Sequence, residues 1–352
     1  MPQTYGFEIE CYGLTPAQIK NAIESVSGLV YQSPTQTLNT GSDDDNYRIY
    51  GYLESKRVPL RTVESGMGNL WIAAQDGSLH NAHKYNGLAH EIISPVMVGM
   101  DGLKTTKAVM KALRIAGAKV DKTCGLHVTM GVENVSARFR RMGAQKKAAC
   151  LLNLIEAYNY FQDGAFSELC SPSRNPRASV ASTYARDVRL PMTSNYGTAT
   201  KHTVKDWTDF TSYSLHNLFN RVGRGAVNMT HFWNAGVVEF RQHQGTLDGD
   251  KIMNWALLCH KLLSWAVNPE HINNLADVRN FPPTVAGLCA MVNAGSMLST
   301  ALLSRQNSLR DSRYYEATGN RSETVYEEFQ MENTTASRDD ILLALSYIGV
   351  DA

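Results

Sequence analysis

The sequence predicts an α+β fold with a curved, mostly antiparallel sheet, and three observations lead to this prediction. Several short segments alternate polar and apolar residues, as half-buried strands do. Helical patterns of unequal length lie between them, without the regular strand–helix alternation of a doubly wound sheet. Strands with one polar face are typical of antiparallel sheets, because such sheets can leave one face to solvent. With 352 residues, 43% of them hydrophobic, the chain can bury a sizeable core.

The first half of the chain begins with two well-marked elements. Residues 5–12 alternate apolar and acidic side chains and predict a strand. A helix follows, with Thr15 as its N-cap, Pro16 at its first position and Gly28 at its end. The remaining strands predicted in this half are 47–53, 70–75, 90–94 and 126–131, and the remaining helices are 101–116 and about 143–161.

The second half is less regular. Residues 171–212 are rich in Ser, Thr, Pro and Arg and lack clear periodicity, so they predict a long irregular insertion. Residues 295–336 are polar and poorly patterned, and Ser337 begins a short final helix that ends at Gly349. The elements predicted between these segments are strands at 225–230 and 236–243 and a helix at 248–266.

Composition and charge narrow the class of protein. Lys and Arg number 34 and Asp and Glu number 33, so a formal charge of +1 gives no signal of nucleic-acid binding. The sequence shows neither a signal peptide nor a transmembrane segment. The six cysteines lack Cys-x-x-Cys spacing and fit free thiols in a reducing compartment. We therefore expect a cytoplasmic protein without membrane partners, or one of the host cytoplasm if a virus encodes it, and composition leaves a homo-oligomer open.

Four of the predicted strands carry ionisable residues on one face. Glu8 and Glu10 are two residues apart, so their carboxylates share a face and lie about 6.6–6.8 Å apart along the strand. Each pattern alone also fits a solvated face, a hydrogen-bonded histidine or a salt bridge, but together the four predict one polar face of the sheet. The other residues that the alternation places on such faces are Glu91, His127, Thr129, Glu239, Arg241 and His243.

The residue types on these faces indicate metal and phosphate chemistry. Carboxylates with one imidazole and no thiolate favour magnesium or manganese over zinc. Two carboxylates on one face can each hold one of two neighbouring cations. A nearby arginine would stabilise charge that develops during phosphoryl transfer. The common nucleotide and hydrolase motifs are missing: the sequence contains no P-loop, no complete Gly-x-Gly-x-x-Gly after a strand and no Gly-x-Ser-x-Gly.

Seven segments, taken in order, resemble the amidoligase family of carboxylate–amine ligases, which are related to glutamine synthetase and glutamate–cysteine ligase. The resemblance covers about residues 5–265. It implies a glutamine synthetase-like fold, with an amidoligase-like catalytic domain over 1–294 and a polar tail over 295–352. The segments are GFEIE at 6–10, DGS at 76–78, HEIISP at 90–95, CGLHV at 124–128, SPSR at 171–174, AVN at 226–228 and EFRQHQGTL at 239–247.

The resemblance also implies the reaction and the role of individual residues. ATP would phosphorylate a carboxylate, and an amine would capture the acyl phosphate to give an amide, ADP and phosphate. Two or three magnesium ions, or manganese, would assist. Arg241 would steady the transferred phosphoryl group, and Arg174 would do likewise or bind a substrate carboxylate. The implied ligands are Glu8, His127 and Glu239 for the ion that bridges the ATP phosphates, and Glu10 and Glu91 for a second ion on the substrate side.

Two matched positions and the substrates are left open. Asp76 and Asn228 match family positions without a firm role, and we place Asn228 among the nucleotide-binding residues. The segment 171–212 would shield an acyl phosphate from water by closing over the site. The substrates would be a small-molecule or peptide carboxylate and an amine, and a γ-glutamyl or peptide ligase is one form of this reaction. The alternatives are a metal-dependent phosphohydrolase and a non-catalytic binding or structural protein on the same scaffold.

Overall fold

The computed structural model describes residues 3–26, 30–32, 70–75, 88–121, 123–133, 135–171, 174, 225–229, 231–271 and 278–317. Several sequence predictions lie outside these residues: the strand at 47–53, Asp76, most of the insertion at 171–212, and the final helix that begins at Ser337. The closing movement expected of the insertion therefore stays a prediction.

Eight strands form one sheet in the described part of the chain: β1 (Thr4–Tyr12), β2 (Val30–Gln32), β3 (Leu70–Gln75), β4 (Ala89–Ile93), β5 (Met97–Val98), β6 (Gly125–Gly131), β7 (Val227–Asn228) and β8 (Val237–Gln244). Their order in the sheet is β2-β3-β4-β1-β6-β8-β7, with β5 paired to β1. Among these described strands, only β2 and β3 run parallel, and all other pairs are antiparallel.

Helices of very different lengths accompany this sheet, which confirms the predicted α+β class with a mostly antiparallel sheet. A π-helix over Gln162–Phe166 joins the helices Ala144–Phe161 and Ser167–Leu169, and a 3-10 turn lies at Pro269–His271. The α-helices are α1 (Pro16–Glu24), α2 (Gly99–Ala116), α3 (Ala137–Arg140), α4 (Ala144–Phe161), α5 (Ser167–Leu169), α6 (Phe232–Ala235), α7 (Gly249–Ala266), α8 (Val285–Met291) and α9 (Gly295–Ala317).

Strand β1 lies between β4 and β6 and has two chemically different faces. Phe7, Ile9 and Cys11 are at most 1% exposed and join the hydrophobic core with residues of α1, α2, α4 and α7. Because side chains alternate along a strand, Glu8 and Glu10 point to the opposite face. The helices thus cover one face of the sheet, and the ionisable residues lie on the other.

Local sequence signals predict the start of the first helix correctly. Thr15 and Gln18 form a capping box, and Pro16 occupies the first helical position. The apolar face of α1 packs on α2. The helix ends at Glu24, before the predicted end at Gly28.

The segment after residue 294 differs from its sequence prediction. Residues predicted to be polar and unpatterned form α9, which packs on α5, α7 and α8. Its buried residues include Leu298, Leu302 and Leu309, a stripe too sparse to give a clear helical period in the sequence. The proposed division into 1–294 and 295–352 stays a prediction.

The cysteines and the helices of the described residues show two further features. All six cysteines are buried free thiols, as predicted. Within the described residues, no helix combines the length and the apolar character that crossing a membrane requires.

Candidate active site

The register of the sheet arranges the residues on the face opposite the helices in three rows, which include most of the predicted site residues. Residues directly opposite each other in antiparallel strands share a face, so each row runs across several strands. The first row contains Gly6, Thr129, Glu239 and Asn228; the second contains Ile93, Glu8 and His127; the third contains Glu91 and Glu10.

Three of these side chains converge around the ring of His127. Its Nδ1 atom lies 3.1 Å from Oε2 of Glu8 and 3.3 Å from Oε1 of Glu239. A further carboxylate is close, because ligand atoms of Glu8, Glu91 and His127 all lie within 4.8 Å of one another. Magnesium binds octahedrally at about 2.1 Å, so neighbouring ligand atoms lie about 3 Å apart. The donor types and their spacing fit a hard divalent cation.

Glu239 is fixed from two sides. Nη1 of Arg241 donates to its Oε1 over 2.7 Å, and Nδ2 of Asn228 donates to its Oε2 over 2.9 Å. Asn228 reaches this carboxylate because β7 pairs with β8 directly beside it. Asn228 thus holds the second oxygen of Glu239 in a fixed direction.

A bulge in β8 corrects one sequence prediction. Val128 pairs with Phe240 and Leu126 pairs with His243, so the register shifts between these pairs. The extra residue reverses the alternation of side chains. His243 was predicted to share a face with Glu239 and Arg241, and this is wrong: its ring packs on Trp255 of α7, with the ring centroids 5.1 Å apart.

The environment of His127 favours the neutral form of its imidazole. Burial lowers its pKa well below the ordinary value, and the guanidinium groups of Arg241 and Arg174 act in the same direction, against Glu239. A neutral imidazole has one nitrogen with a free lone pair, which a metal ion can use. The other ring atom, Nε2, is buried and has no hydrogen-bond partner among the described residues.

Glu10 and Arg174 lie on the Nε2 side of His127, around Gly125. The backbone N–H of Gly125 donates to Oε2 of Glu10. A Cβ on Gly125 would lie 3.0 Å from Nη2 of Arg174, 3.2 Å from Nε2 of His127 and 3.3 Å from Oε2 of Glu10. A side chain at this position would force these three groups to move by a few tenths of an ångström. Gly125 is therefore part of the site.

Arg174 is a buried component of the site. It is 1% exposed, and its Nη2 donates to the backbone carbonyl of Arg241 over 2.8 Å. Burial lowers its pKa, and the nearby carboxylate of Glu10 acts against that shift. The sequence placed this arginine in an irregular insertion, so its contact with the bulge of β8 could not be predicted. Gly125 was visible only as part of the segment at 124–128, without a role.

An α+β fold whose open sheet face gathers carboxylates, an imidazole and two guanidinium groups defines a candidate metal-binding enzyme. The chain belongs to the amidoligase family, because the family model described as "Putative amidoligase enzyme" matches residues 1–263. This confirms the family predicted from the sequence and supports an enzyme that forms amide bonds. No curated protein and no solved structure matches the chain significantly.

Proposed function

We propose that this protein is an ATP-dependent carboxylate–amine ligase with a glutamine synthetase-like catalytic fold. A carboxylate oxygen of the substrate attacks the γ-phosphorus of ATP, and ADP leaves. The amine nitrogen then attacks the carbonyl carbon of the acyl phosphate; phosphate leaves and the nitrogen loses a proton. The observation that carries the proposal is the convergence of Glu8 and Glu239 on Nδ1 of His127, with Arg241 bound to Glu239.

The donor set supports magnesium as the cation, with manganese as a substitute. Glu8, His127 and Glu239 would hold the ion at the ATP phosphates, and Glu91, close to Glu8 and His127, would bind a second ion on the substrate side. The low pKa of His127 keeps its imidazole able to bind a cation at neutral pH. Bound magnesium neutralises phosphate oxygens of ATP and so makes the γ-phosphorus a better electrophile. Two or three such ions belong to the proposal.

Arg241 is the residue that we assign to the transferred phosphoryl group. Its side chain is 12% exposed, and Oε1 of Glu239 accepts a hydrogen bond from its guanidinium group over 2.7 Å, which fixes the direction of this group next to the cation ligands. A fixed positive charge at this place stabilises negative charge that develops on the equatorial oxygens during transfer. Asn228 assists indirectly, because it holds the second oxygen of Glu239.

The substrates that we propose are a small-molecule or peptide carboxylate and an amine, with a γ-glutamyl or peptide ligase as one form of the reaction. We propose that the reaction takes place in the cytoplasm, where ATP and magnesium are available and six free thiols stay reduced.

Phosphorus NMR of ATP tests the reaction directly. Purified protein is incubated with ATP, magnesium and pooled amino acids, small dicarboxylates and polyamines, with and without the amine pool. ADP and phosphate that form only with both pools are the expected result. AMP and pyrophosphate would contradict the acyl-phosphate mechanism, phosphate without amine would identify a phosphohydrolase, and unchanged ATP in every mixture would favour a non-catalytic protein.

Two matched variants separate the site from the fold. Glu8→Gln removes one charge at the candidate cation ligands and should abolish ATP consumption, whereas Glu24→Gln makes the same chemical change at an exposed position of α1 and should leave it unchanged. Circular dichroism spectra of both variants should match that of the wild type.

A further inference from the structure

We propose that Glu10 positions His127 and does not bind a second magnesium ion. In this arrangement His127 binds the cation through Nδ1, and the Glu10 carboxylate accepts a hydrogen bond from its Nε2–H. The inference rests on the cation site of the proposed function. It differs from the family resemblance, which implies that Glu10 and Glu91 both bind a second ion.

The orientation of the His127 ring determines which of its nitrogen atoms faces the cation site. Nδ1 is the ring atom that faces Glu8 at 3.1 Å and Glu239 at 3.3 Å, so the cation site lies on the Nδ1 side. A neutral imidazole that binds a cation through Nδ1 must carry its proton on Nε2. That N–H is buried and needs an acceptor, because an unpaired buried donor is unfavourable.

The surroundings of Nε2 of His127 include one carboxylate that can accept its hydrogen bond. The atom has no hydrogen-bond partner among the described residues. Nε2 of His127 and Oε2 of Glu10 lie 3.2 and 3.3 Å from the point that a Cβ on Gly125 would occupy, so both border the same small space. Metal-binding histidines usually donate their second ring N–H to a carboxylate or a carbonyl group. Glu10 is the carboxylate that borders this space.

The contacts of Glu10 hold its carboxylate in place beside a positive charge. The N–H of Gly125 donates to its Oε2, and Nη2 of the buried Arg174 borders the same space at 3.0 Å. A fixed positive charge beside Glu10 repels a second cation there and attracts the carboxylate, which keeps it oriented. Arg174 in turn donates to the Arg241 carbonyl, which ties this arrangement to β8. Arg174 is accordingly a positioning residue as well.

NMR of nitrogen-15-labelled histidine tests the role of Glu10, with His127→Gln to assign the signals. Magnesium should move the proton of His127 to Nε2 and give a downfield Nε2–H resonance. In Glu10→Gln this resonance should move upfield, because an amide oxygen is a weaker acceptor than a carboxylate. Glu24→Gln is the matched control and should behave like the wild type.

Manganese binding, followed by electron paramagnetic resonance, gives a second readout. Glu10→Gln should weaken Mn²⁺ binding about 10–100-fold, as removal of groups that orient metal ligands does, without changing the number of ions bound. Glu10→Asp keeps the charge beside Arg174 but shortens the side chain, so it should also lose the downfield resonance. This second variant keeps the test valid if Glu10→Gln folds poorly.

Three results would overturn the inference: one fewer Mn²⁺ ion bound in Glu10→Gln, an Nε2–H resonance that neither variant changes, or no Mn²⁺ bound to the wild type. Failure of the proposed function is a separate outcome. Ion binding with the expected resonances but without ATP consumption would contradict the ligase reaction and leave the role of Glu10 standing. ATP consumption together with a lost ion in Glu10→Gln would contradict only the inference.

Discussion

Gly125→Ala is the smallest change that perturbs the candidate site. The new Cβ would lie 3.0 Å from Nη2 of Arg174 and between 3.2 and 3.3 Å from atoms of His127 and Glu10, closer than most real Cβ contacts. Overpacking of a buried position costs about 1–3 kcal/mol. Replacing glycine by alanine recovers about 0.4–1 kcal/mol through the unfolded chain, so the midpoints of the two ranges give a net loss of about 1.3 kcal/mol. Tm should fall by roughly 1–4 °C.

Metal binding should also weaken in Gly125→Ala, by a free energy similar to the loss of stability. Displacement of Glu10 and His127 disturbs the orientation of a cation ligand, so Mn²⁺ affinity should fall about 10–100-fold, measured by electron paramagnetic resonance. Gly143→Ala is the control, because nothing lies within 4 Å of its Cβ position and its φ is −67°. If Gly125→Ala binds Mn²⁺ as tightly as Gly143→Ala, Glu10, His127 and Gly125 are not coupled as described.

Three further predictions concern the surroundings of the site. Burial lowers the pKa of His243 to about 3, so below pH 6.5 the unfolded chain binds more protons than the folded one. The free energy of unfolding should therefore fall as the pH drops from 6.5 towards 3. His243→Gln should make this fall less steep, as measured by urea unfolding between pH 7 and 5. Tyr158→Phe leaves the buried Gln242 oxygen without its donor and should cost about 1–3 kcal/mol in the same assay. Asn228→Ala frees one oxygen of Glu239 and should weaken Mn²⁺ binding about 10–100-fold; unchanged affinity would show that this hydrogen bond is dispensable.

Local patterns were sufficient to predict most of the polar face. The alternation in β1 identifies Glu8 and Glu10 as neighbours on one face, because the side-chain period of a strand is two residues. The start of α1 follows from Thr15 and Pro16, which act within one helical turn. The pairing order of the strands was not available from such patterns, yet it decides that Glu8 lies opposite His127 and Glu10 opposite Glu91.

The remaining features depend on contacts between distant segments. The bulge of β8 arises where this strand pairs with β6, so nothing within 236–243 marks the residue at which the alternation reverses. The burial of Arg174 likewise depends on β8, whose Arg241 carbonyl accepts its hydrogen bond from 67 residues away. For the same reason, the role of Asn228 becomes apparent only when β7 is placed beside Glu239.

The charge distribution of the polar face argues that it is arranged for binding and not for stability. Four carboxyl groups, those of Glu8, Glu10, Glu91 and Glu239, meet two guanidinium groups and a neutral imidazole, which leaves a formal charge of −2. Gathering like charges in a buried place is unfavourable, and apolar residues of similar size would generally stabilise a fold better. One divalent cation would balance this charge, and any ligand that binds only the folded state stabilises it. The face is therefore expected to reach its most stable form with the cation bound.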